Sequence, residues 1–72
     1  MPDGLIVAAR RIADAFRVRA YASTTREGGW VIEIVMPDIA VAAAQSQLKA
    51  MAVPYDIRFA SPELRVIVPQ NN

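Results

Sequence analysis

Trp30-Val31-Ile32-Glu33-Ile34-Val35-Met36-Pro37-Asp38 is the stretch on which the fold of this chain turns. Residues 30–36 are rich in β-branched and aromatic side chains, the composition of a strand. Pro37 lacks a backbone N–H and stops it. Asp38 follows at once, in front of an alanine-rich run, and reads as a helix N-cap. The spacing predicts a helix to about Ala52, with Val41, Ala44, Leu48 and Met51 or Ala52 on its apolar face. Val53-Pro54 ends it, and Tyr55, Ile57 and Phe59 then alternate with Asp56, Arg58 and Ala60 as a strand does. Ser61-Pro62-Glu63 reads as a tight turn into a last strand, Leu64 to Val68, closed by Pro69.

The same order recurs on the N-terminal side. Asp3 is the expected N-cap of a helix in which Leu5, Ala8, Ala9, Ile12 and Phe16 share a face. Residues 17–23 alternate as a strand, with Val18, Ala20 and Ala22 on one side and Arg17, Arg19 and Tyr21 on the other. A loop over 24–29 follows, in which Gly28-Gly29 can supply positive φ.

The expected fold class is therefore α+β in the order αββαββ. It is a single domain over 1–72, made of one αββ unit at 3–37 and a second at 38–69, with a frayed tail at 70–72. Two helices would pack on one face of a four-stranded, mainly antiparallel sheet. Trp30, Ile32, Ile34 and Met36 of the second strand would face the helices, with Trp30 as a core plug at the sheet end. Two arrangements satisfy this pattern. One resembles a ferredoxin-like fold with its first strand moved to the C-terminus. The other sets two αββ units side by side about an approximate two-fold axis.

Bulk composition narrows the chemistry. A chain of 72 residues is one domain and leaves much of its surface in water, so its stability is marginal without help. It has no cysteine and no histidine, which removes disulfides and the usual ligands of a transition-metal site. No cofactor is expected. Self-association remains as the source of extra stability, and an apolar content of 54% favours it. Net charge is only +1, although seven of the eight basic residues are arginine, the cation best suited to interfaces and phosphates. The N-terminus carries no signal-peptide pattern, and no apolar run approaches the roughly 20 residues of a membrane span. A complete, cytoplasmic product without membrane contact is the expectation.

Catalysis is not expected. Without histidine or cysteine the usual general acid–base and thiol nucleophile are missing. Asp3 and Asp38 are accounted for as caps and Glu27 and Glu63 as turn residues, while Glu33 and Asp56 suit cross-strand ion pairs. Function then falls to the sheet face away from the helices. An apolar centre of Val31, Val35 and Ile67, ringed by Tyr21, Arg58 and Arg65, has the anatomy of a protein interface. The alternative is a nucleic-acid surface made of Arg17, Arg19, Tyr21, Arg58 and Arg65. It resembles the way RNA-recognition motifs use an open sheet, but with one aromatic where they stack bases on several. Edge-to-edge strand pairing is a second interface route, since neither the first nor the last strand is blocked before Pro69. The reading is a non-enzymatic, self-associating protein-binding module. Small accessory regulators, including those phages and mobile elements use to dock on and inhibit host proteins, share its size and lack of catalytic residues.

Overall fold

The structure is a computed structural model that describes residues 2–62. Its elements are α1 (Asp3–Phe16), β1 (Arg19–Thr24), β2 (Trp30–Val35), α2 (Asp38–Met51) and β3 (Asp56–Ala60). The predicted last strand, with Arg65 and Ile67, and the tail at 70–72 lie outside the described residues.

The sheet corrects the expected fold class. Among the described residues it has three strands in the order β1-β2-β3 and is mixed, where four mainly antiparallel strands were expected. β1 and β2 form an antiparallel hairpin, with Arg19 opposite Val35 and Thr24 opposite Trp30. β2 and β3 run parallel, with Val31 opposite Asp56 and Val35 opposite Ala60. The cause is the connection. The chain leaves β2 through α2 and crosses back over the sheet, so the next strand starts at the same end as β2 and must run in the same direction. β2 is thus the central strand. Its Val31, Ile32, Ile34 and Val35 are all buried, as suits a strand flanked by a neighbour on each edge.

Both proposed arrangements fall with this order. A permuted ferredoxin-like sheet places another strand between the two joined by the crossover, whereas β2 and β3 are directly paired here. A two-fold axis between αββ units would pair equivalent strands antiparallel. The β2–β3 contact joins non-equivalent strands in parallel.

Among the described residues the repeat is clearest at the helices. Each is 14 residues long and starts from a Pro-Asp pair. The N-caps are Pro2 and Pro37, not the expected Asp3 and Asp38, and neither helix has a side-chain cap bond. The proline carbonyls instead accept from Leu5 N–H at 3.1 Å and Ala40 N–H at 2.9 Å. Both aspartates still lie in the first turn, where a carboxylate favours the positive end of the helix dipole. Each helix ends on a residue with a Cβ in left-handed conformation, Arg17 at φ 55° and Ala52 at φ 55°. Arg17 therefore caps α1 and does not begin β1.

The core lies between the two helices and one face of the sheet. Leu5, Ala8, Ala9 and Ile12 of α1 meet Ile32 and Ile34 of β2, Met36, and Ala44 and Leu48 of α2. Trp30 departs from its expected role as a core plug, since at the outer end of β2 it keeps 36% of its surface exposed. The β1–β2 turn is closed by Gly28 N–H to Thr25 O at 3.0 Å and by Thr25 N–H to Gly29 O at 2.9 Å. Gly28 adopts φ 87°, which lets the turn match the strand twist.

Candidate functional site

Two surfaces carry chemistry, and the sheet register builds both. On the face away from the core, side chains fall into cross-strand rows. Tyr21 lies opposite Glu33, and Glu33 lies opposite Arg58. Arg58 Nη2 donates to Glu33 Oε1 at 2.8 Å and to Ser23 Oγ at 2.9 Å. The Glu33 side chain is 15% exposed and that of Arg58 46%. One arginine nitrogen thus ties all three strands together. The ion pair is partly wet and stabilises by about 1 kcal/mol or less.

This face brings together Arg19, Tyr21, Val31, Val35 and Arg58 of the candidate residues. Val31 and Val35 are 5% and 8% exposed, so they present little surface in the chain as it stands. Arg17 is not part of the face, because it sits in the cap of α1. Arg65 and Ile67 lie outside the described residues.

The second surface joins the strand-edge route expected from the sequence to a helix flank that the sequence reading does not include. It is the outer edge of β1 with the flank of α1 above it. A groove of about 420 Å³ runs between Ile6, Ala9, Arg10 and Ala13 of α1 and Ala20 to Ala22 of β1. A neighbouring hollow of about 300 Å³ is lined by Ile6, Val7, Arg10, Arg11 and Asp14. Ile6 is 42% exposed and Val7 60%. The groove exists because four of its lining residues are alanine, too short to fill the space between helix and strand.

Hydrogen-bond alternation shows what the strand offers there. Thr25 donates to Gly29 across the hairpin, which sets the odd-numbered residues of β1 toward β2. The N–H and C=O groups of Ala20, Ala22 and Thr24 therefore point outward. Among the described residues β1 pairs only with β2. A signal for this surface was present in Leu5-Ile6-Val7-Ala8-Ala9. Five consecutive apolar residues cannot share one helix face, and at 100° per residue Ile6 and Val7 swing away from Leu5.

Compared with protein-family models, with curated proteins and with solved structures, the chain matches none of them. Among the described residues no helix is long and apolar enough to cross a membrane.

Proposed function

We propose that this chain is a non-enzymatic docking domain that works by binding protein. The observation that carries the reading is the exposed aliphatic pair Ile6 and Val7, standing beside a groove and a strand edge that is unpaired among the described residues. Exposed aliphatics next to free backbone donors and acceptors suit strand addition, in which main-chain bonds supply affinity and side-chain pockets supply choice. The nucleic-acid reading is weaker. Of its arginines, Arg58 is engaged by Glu33 and Ser23, and Arg17 lies at a helix end.

A photo-crosslinking residue at Val7, compared with one at Gln47 on the exposed side of α2, tests the proposal in cells. Protein adducts are expected at position 7 and not at 47. Absence of adducts at both positions overturns the reading. So does a purified protein that carries nucleic acid at low salt and sheds it at high salt, the signature of counterion release.

A further inference from the structure

We infer that the partner of the β1 edge is a second copy of this chain, joined by antiparallel β1–β1 pairing into one continuous sheet. The inference rests on the docking reading above and names its occupant. Ala20, Ala22 and Thr24 present outward N–H and C=O groups, and β1 contains no proline and no bulge to blunt that edge. With a two-fold axis at Ala22, these three residues of one copy face Thr24, Ala22 and Ala20 of the other. Every outward group then finds a partner. The same register keeps like faces together, since even-numbered residues meet even-numbered ones. Arg19, the only charged residue of β1, falls opposite Thr25 of the second copy and not opposite itself.

The helix layer closes in the same operation. α1 packs on both β1 and β2. Two-fold rotation about the β1 edge sets the two α1 axes about two strand spacings apart, roughly 10 Å, which is an ordinary helix packing distance. The axes run antiparallel. Ile6 in the first half of one flank then faces Ala13 and the Arg10 stem of the other, the residues that with Ala9 form the α1 wall of the groove. Aliphatic side chain meets short alanine and arginine stem, so the flank is complementary to itself.

Size agrees. A six-residue strand is about 20 Å long and two packed layers about 20 Å deep, so the contact buries on the order of 1,000 Å² in total. That is the lower end of specific interfaces, and it predicts a dimer that dissociates in the micromolar range.

Molar mass by light scattering and sedimentation, over about 1–500 μM protein, tests this. The mass of the wild type is expected to rise toward twice 7.9 kDa with little dependence on salt. Ala22→Pro removes an outward N–H while leaving every β1–β2 bond in place, and Ile6→Glu sets a charge in the helix seam. Each is expected to weaken the dimer by at least about tenfold without loss of circular-dichroism helix signal. Ile39→Glu, at a position 92% exposed on α2, is expected to leave dimerisation unchanged. If Ala22→Pro prevents folding, Ile6→Glu decides alone. A wild type that stays monomeric at the highest concentration overturns the inference, as does a dimer that withstands the seam substitution. A monomer that still yields adducts with other proteins from position 7 overturns the dimer and leaves the docking reading standing.

Discussion

Ala52→Gly should stabilise this protein, although Ala→Gly in a helix ordinarily does the reverse. Ala52 follows the last residue of α2 with φ 55° and ψ 46°, and its N–H bonds to Lys49 O at 3.2 Å. A side chain with a Cβ costs about 1–2 kcal/mol in that conformation. Ala52 is exposed, so removing its methyl group gives up no core contact. Glycine returns about 0.4–1 kcal/mol of this through the greater freedom of the unfolded chain. The net gain is about 0.5–1 kcal/mol, or roughly 2–8 °C in Tm for a domain of this size. Ala43→Gly is the internal control, because Ala43 is also exposed but lies inside α2 with right-handed geometry. That change should lose about 1 kcal/mol. Thermal and urea denaturation, followed by circular dichroism on both variants, reads the pair. Equal losses at positions 43 and 52 would refute the reasoning, because they would mean the end of α2 does not hold its left-handed turn in solution.

Other consequences are equally direct. Gly28→Ala should cost about 1 kcal/mol, since Gly28 holds φ 87° in open space where only the backbone conformation is at issue; urea denaturation measures it. Arg58→Ala should cost about 1 kcal/mol, because it leaves the largely covered Glu33 carboxylate without its cation and Ser23 Oγ without its donor. Arg58→Ala/Glu33→Ala in a double-mutant cycle should recover part of that loss, and strict additivity would contradict the observed pairing. Ile34→Ala removes a fully buried side chain from the centre of the core and should cost about 2–5 kcal/mol. The total stability expected of a chain of 72 residues is only about 4–11 kcal/mol, so loss of the cooperative urea transition is the expected outcome at the upper end.

Much of the local structure was legible. The α1 core face, Leu5, Ala8, Ala9 and Ile12, was visible as a three-and-four spacing and is buried as that spacing requires. The Gly28-Gly29 turn was visible from composition, and Gly28 does take positive φ. Helix starts were placed within one residue, but the capping chemistry was misassigned, since Asp3 and Asp38 follow the N-caps and do not occupy them. The alternating pattern extends back to Arg17, which the structure places in the cap of α1 and not in β1. No side-chain pattern signals a left-handed arginine, which is set by the need to turn the chain from α1 onto β1.

The candidate site divides in the same way. That Glu33 and Arg58 lie on the face away from the helices followed from period-two alternation. That they touch, together with Ser23 thirty-five positions from Arg58, required β3 to lie beside β2 in one particular register. The groove at the β1 edge needed both the strand order and the position of α1.

By itself, the sequence determined the helices, the hairpin and the inward faces of each element. These depend on neighbours within a few residues: periodicity, proline stops and a glycine turn. Only the tertiary structure decided that β3 returns parallel to β2, that β2 becomes the buried centre, and that, among the described residues, β1 keeps an outward edge under an apolar helix flank. Strand order depends on which way a 14-residue helix crosses the sheet and on where its apolar face meets the core. That is a competition among long-range contacts, and it leaves no mark in any short window of sequence.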